Sequence, residues 1–96
     1  MVFEWDNNKD EINIKKHGVS FKEASSVFYD DDAIMFEDPD HSVDEERFII
    51  IGMSRNTGIL TVCHCYREDD EVVRIISARR ASRPETDFYI QFRGEL

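Results

Sequence analysis

Cysteine is scarce in this chain of 96 residues, with two in all, and proline (two) and glycine (four) are scarcer than in most domains. Two cysteines are too few for a disulfide scaffold. Cys63 and Cys65 flank His64 in "CHCYR", which invites a metal reading. If the segment is a strand, the two thiols share one face and the imidazole points to the other, so the three cannot converge on an ion. Reduced thiols then behave as small apolar residues. No apolar run approaches the roughly 18 residues of a membrane span. The start, "MVFEWDNNKDE", lacks the basic and apolar regions of a secretion signal, which points to a cytosolic protein. Also lacking are a phosphate-cradling glycine loop, a paired-cysteine zinc pattern, EF-hand spacing, a serine–histidine motif in a recognisable context and any internal repeat.

What is present suits one globular domain spanning 1–96. A chain of this size buries about 60–65% of its extended surface, enough for one core, and seven Phe, three Tyr and one Trp can fill it. The net charge of −9 is uneven. Residues 1–46 hold 4 Lys against 14 Asp and Glu, whereas residues 47–96 hold 8 Arg against 7. An acidic surface repels nucleic acid and suits a basic protein partner. Phosphate chemistry would therefore rest on a local arginine cluster.

The pattern reads β-α-α-β-β-β-β-α. "VFEW" at 2–5 is a short strand, and Asp6 can cap a helix over 7–17 that stops at Gly18. Ser20 and Glu23 form a capping-box signature for a second helix to about residue 30, with Phe21, Ala24, Val27 and Phe28 as its apolar stripe. Strand signals follow at 33–37, 47–53, 59–67 and 72–79, with tight turns at "NTG" and "EDDE". "SRPE" at 82–85 is a second capping box, and Phe88 and Phe92 begin the packing stripe of a last helix. Clustered helices beside hairpin-linked strands predict an α+β fold, with two N-terminal helices on a mostly antiparallel sheet of four to five strands and a C-terminal helix. The arginine-bearing face should be the other one.

Candidate chemistry is basic. Lys15, Lys16 and His17 gather at one helix end, where the dipole favours cations. His17 is either a capping residue or a group able to move a proton or hold phosphate. Arg47, Arg74, Arg79, Arg80 and Arg83 offer forked donors suited to phosphate, unless they pair with the abundant carboxylates. Arg74 and Arg79 are five apart, so a regular strand separates them onto opposite faces unless a bulge intervenes. Ser77 shares a face with Arg79. His41 and Ser42 read as turn formers. Asp38, Asp40, Asp44 and the run 30–32 read as solvated loop charge rather than a hard-metal site.

Three stretches together resemble a known family. "FEWDNNKDEINIKKHGVSFKEASSVFYDD" at 3–31, "DHSVDEERFIIIGMS" at 40–54 and "RIISARRAS" at 74–82 are similar, in order and at suitable separations, to the motifs of the BrnT-type toxins. The resemblance implies a RelE-like fold and a type II toxin that cleaves RNA without a metal and inhibits translation. It also implies a BrnA-like ribbon-helix-helix antitoxin, promoter DNA bound only through that antitoxin, a dimer within the complex and no cofactor. The family's basic residues fall on Lys16, His17, Arg47, Arg74 and Arg79. Lys16, His17, Arg47 and Arg79 are then the expected catalytic residues, and Arg74, Ser77 and Arg80 the expected substrate contacts. The last helix carries only Arg83 and Arg93 against Glu85, Asp87 and Glu95. An inactive relative that acts as a regulatory partner is therefore the alternative.

Overall fold

The computed structural model describes residues 1–40 and 45–93. His41, Ser42 and Asp44 lie outside the described residues. In chain order the elements are strand β1 (Val2–Glu4), helix α1 (Asn7–His17), helix α2 (Phe21–Ser25), a 3-10 turn (Ser26–Tyr29), strands β2 (Ile34–Glu37), β3 (Phe48–Met53), β4 (Ile59–Arg67) and β5 (Val72–Arg80), and helix α3 (Arg83–Phe92). The strands form one sheet in the order β1-β5-β4-β3-β2. Only the β1–β5 pairing is parallel.

Local chemistry explains the ends of α1. The Asp6 carboxylate accepts from the Asn8 and Lys9 amides at 2.8 and 3.1 Å, satisfying donors that the first turn leaves orphaned. Gly18 takes a left-handed conformation (φ 71°) and donates to the Ile14 carbonyl at 2.8 Å, a conformation in which a Cβ would be strained. The second helix departs from expectation. It ends as an α-helix at Ser25 and tightens into the 3-10 turn. Two serine hydroxyls drive this, with Ser25 and Ser26 donating back to the Lys22 and Glu23 carbonyls at 2.6 and 2.5 Å. Such bonds compete with the helical ladder.

The Ser20 capping box is half-formed. The Ser20 hydroxyl accepts from the Glu23 amide, but the Glu23 carboxylate reaches across to the Asn56 amide (2.5 Å) and the Thr57 hydroxyl (2.8 Å). It thereby pins the β3–β4 turn. Asp10 of α1 serves α2 instead, accepting from the Phe21 amide at 2.8 Å.

One face of the sheet, through Ile50, Leu60, Val62, Val73, Ile75 and Ala78, packs against Val19, Phe21, Ala24 and Val27 to form the core. His64 lies on this face, fully buried, between the rings of Phe28, Phe48 and Tyr66. Gly52 permits the close approach of the 3-10 turn: an added Cβ would lie 2.8 Å from Val27 Cγ1 and 2.9 Å from the Ala33 Cβ.

The last helix also packs differently from the expected stripe. Tyr89 is its buried residue and donates to Asp30 Oδ2 at 2.6 Å, while Phe88 and Phe92 are 41% and 39% exposed. Asp30 also accepts from the Met53 amide at 2.7 Å, so one carboxylate ties α3, the 3-10 turn and β3 together. Burial opposes its charge, but the bonds from Tyr89 and from the Met53 and Asp32 amides hold it below the ordinary aspartate range.

Candidate active site on the second sheet face

β5 is not a regular strand. Cys63 of β4 pairs with Ser77, yet the next residue, His64, pairs with Ile75, so Ile76 is an extra, bulged residue. A bulge shifts the alternation by one position. Residues on either side of it that differ by an odd number now share a face. On the core side these are Ile75 and Ala78. On the second face Arg74, Ser77 and Arg79 stand in one column, opposite Cys65, Cys63 and Thr61 of β4. The parity obstacle to a common arginine site is removed by the fold.

Beyond β4, Arg47 lines the same region. A depression of about 220 Å³ is lined by Arg47, Thr61, Cys63, Ser77, Arg79 and the buried Asp38. Burial raises the Cys63 thiol pKa, and the nearby Arg47 charge opposes that rise. Glu45 feels the same field: a hydrogen bond from Cys65, and the charges of Arg67, Arg47 and Arg74, hold its carboxylate below the usual range despite some burial.

The arginines are anchored by carboxylates. Arg79 makes a two-pronged contact with Glu85 at 2.6 and 2.9 Å. Glu85 also accepts from the Thr61 hydroxyl (3.0 Å) and the Ser82 amide (2.8 Å). The Arg79 bonds foremost, reinforced by Ser82 and Thr61, pull the Glu85 pKa down to about 2 against the opposing effect of burial. Arg74 pairs with Glu4 of β1 at 2.5 Å. Among the described residues Arg83 pairs only with Asp87, one turn along α3.

The end of α1 is set by Asn13, a buried residue whose amide donates to the Val19 and Ala78 carbonyls at 2.8 Å each and accepts from the Ala78 amide at 3.1 Å. β1 pairs with β5 only over Val72–Arg74, so the Asn13 side chain takes up the strand edge that β1 leaves free. With about 100° per residue, Lys16 and His17 lie roughly 60° and 40° either side of Asn13, and Lys15 about 160° away. Lys16 and His17 therefore lie on the side of α1 that Asn13 turns to β5, with Lys16 exposed and His17 half-buried. Neither side chain makes a hydrogen bond or ion pair among the described residues.

One expected substrate contact stands apart from this cluster. Arg80 alternates with Arg79, so it leaves the sheet on the core side, where it pairs with Leu60 and donates to the Thr57 carbonyl at 3.2 Å. Cys63 and Cys65 share the second face while His64 enters the core, which keeps the three from converging. Glu85 and Thr61 were not singled out as site residues by sequence reasoning. The only signal for Glu85 was its capping-box position, which the structure uses at the same time.

The fold is that of a small α+β domain whose second sheet face carries a cluster of arginines, donors of the kind that suit phosphate. The particular family follows from comparison. Residues 5–85 match the family model described as the ribonuclease toxin, BrnT, of type II toxin-antitoxin systems. The chain is similar to the crystal structure of the Brucella abortus ribonuclease toxin BrnT, with 27% identity and a TM-score of 0.66, covering 86% of this chain and 100% of that one. No curated protein matches the chain. The chain belongs to the BrnT family of ribonuclease toxins, and its enzymatic class is that of an RNA-cleaving toxin. No helix among the described residues is long and apolar enough to cross a membrane.

Proposed function

We propose that residues 1–96 act as a single RelE-like toxin domain, with the two N-terminal helices on one sheet face and the chemistry on the other. Its activity is metal-independent endoribonucleolytic cleavage in the cytoplasm that inhibits translation. A BrnA-like ribbon-helix-helix antitoxin neutralises it and carries it to promoter DNA, in a complex that is a dimer. The observation that carries this reading is the β5 bulge, which aligns Arg74, Ser77 and Arg79 on the face bordered by Arg47.

The reaction uses the ribose 2′-hydroxyl as nucleophile. Its oxygen bonds to the adjacent phosphorus as a base takes its proton, the P–O5′ bond breaks, and an acid protonates the leaving 5′ oxygen. The products are a 2′,3′-cyclic phosphate and a 5′-hydroxyl. The phosphorane gathers negative charge, which fixed guanidinium donors stabilise. Arg79 and Arg47 take that role. Glu85 occupies one edge of the Arg79 fork, but a guanidinium has five donors, so Arg79 is held in place with donors to spare. Lys16 or His17 moves a proton or positions phosphate at the α1 end. Arg74 and Ser77 contact the strand, while Arg80 is the weakest member because it leaves the opposite face.

The test is induced expression. Arg79→Ala should abolish growth arrest while the protein stays soluble and folded. His17→Ala and Lys16→Ala should each lower RNA cleavage at least tenfold, about 1.4 kcal/mol of barrier, with little change in melting temperature. Lys15→Ala should be nearly silent. The pairing of Arg74 and Arg79 with carboxylates, on a chain of net charge −9, favours one second reading: an inactive relative that serves only as regulatory partner of a DNA-binding antitoxin. A folded wild-type chain that binds the antitoxin but neither cuts RNA nor arrests growth would select it.

A further inference from the structure

Phe88 and Phe92 form a ring pair, with centroids 4.8 Å apart and planes tilted by 51°, that stays two-fifths exposed although Tyr89 between them is buried. The position of the pair around α3 is informative. Glu85, the residue that grips Arg79 and Thr61, marks the side of α3 turned to the second sheet face. Phe88 lies about 60° and Phe92 about 20° from Glu85 around the helix, whereas Ile90, the other exposed apolar residue, is about 140° away. Phe88 is about 4.5 Å along the axis from Glu85, and Phe92 about 10.5 Å. The aromatic pair therefore continues the arginine-lined region outward along α3.

We infer that the Phe88–Phe92 pair is a nucleobase-stacking platform that receives a base of the substrate strand flanking the phosphate held by Arg79. The inference rests on the ribonuclease reading above. Guanidinium donors next to exposed aromatic faces are the two halves of a single-stranded nucleic acid site: cations track the backbone and flat rings take the bases. Stacking tolerates any base, because every base has a π-face. It also supplies attraction that does not depend on charge, which an acidic protein with few cations on α3 otherwise lacks. Substrate binding would then be less sensitive to salt than in a purely electrostatic binder.

The experiment uses the full chain and a fluorescein-labelled hexa-adenylate RNA with 2′-O-methyl groups, which cannot be cut by 2′-hydroxyl attack, and an abasic ribose-phosphate oligomer of equal length. Phe88→Ala and Phe92→Ala should each weaken hexa-adenylate binding at least tenfold in anisotropy titrations while leaving abasic binding within twofold. Phe88→Tyr should bind like wild type. Each ring is two-fifths exposed, so the alanine variants should still fold cooperatively, which thermal melts check. Equal affinity in the alanine variants, or equal losses on both oligomers, would overturn the platform while leaving the ribonuclease reading intact. Unchanged RNA binding and cleavage with lost antitoxin binding would assign the pair to the protein partner instead. A wild-type chain that neither binds nor cuts RNA would overturn both readings.

Discussion

His64 should make the protein acid-labile in a defined window. Its imidazole is fully buried among Phe28, Phe48 and Tyr66, with neither ring nitrogen hydrogen-bonded, and burial lowers its pKa from 6.5 to about 4. Above pH 6.5 the ring is neutral in both folded and unfolded chains and contributes nothing to pH dependence. Between 6.5 and about 4 the unfolded chain binds the proton and the folded chain does not, so stability falls as pH falls. The interval between those two values, at about 1.4 kcal/mol per pH unit, amounts to about 3 kcal/mol lost by pH 4. For a domain of this size that is a large share of the total. Urea unfolding at half-unit steps from pH 7.5 to 4, followed through Trp5, measures it. His64→Phe keeps a planar ring but cannot titrate, so its profile should be flatter than wild type by about 3 kcal/mol. Carboxylates that also titrate near pH 4 are common to both proteins and cancel in the difference. Parallel profiles for the two proteins would show that His64 is not held neutral by its surroundings.

Gly52→Ala should destabilise by about 1–3 kcal/mol, read as a lower urea midpoint, because its methyl would press on Val27 and Ala33 in a packed core. Asn13→Ala leaves the Ala78 amide and two carbonyls without their partner. It should cost about 2–4 kcal/mol and, by freeing the α1 end from β5, lower RNA cleavage along with stability. Cys65 is fully buried and its thiol is pushed up to about 11, chiefly by burial. Ellman's reagent at pH 8 should therefore modify Cys63 in the native protein and Cys65 only after unfolding, as peptide mapping would show.

Much of the fold is legible in the sequence because its signals are local. The Asp6 cap, the Gly18 stop and the "SRPE" box each depend on neighbours within four residues, and α1 begins and ends, and α3 begins, where those signals lie. Strand alternation likewise announced that Cys63 and Cys65 would part from His64. Three decisions belong to the tertiary structure alone. The Ile76 bulge depends on how β5 registers against β4 while fitting Ile75 and Ala78 into one core, and no residue within β5 signals it. Without it, Arg74 and Arg79 would face opposite ways. Which aromatic of α3 is buried depended on Asp30, 59 residues away, offering Tyr89 a carboxylate. Phenylalanine can make no such bond, so Phe88 and Phe92 were left outside. Finally, Glu23 and Glu85 both sit at capping-box positions, yet Glu23 reaches the β3–β4 turn and Glu85 caps α3 while gripping Arg79. A carboxylate accepts bonds at two oxygens, and which donors arrive is settled only when distant strands are brought alongside.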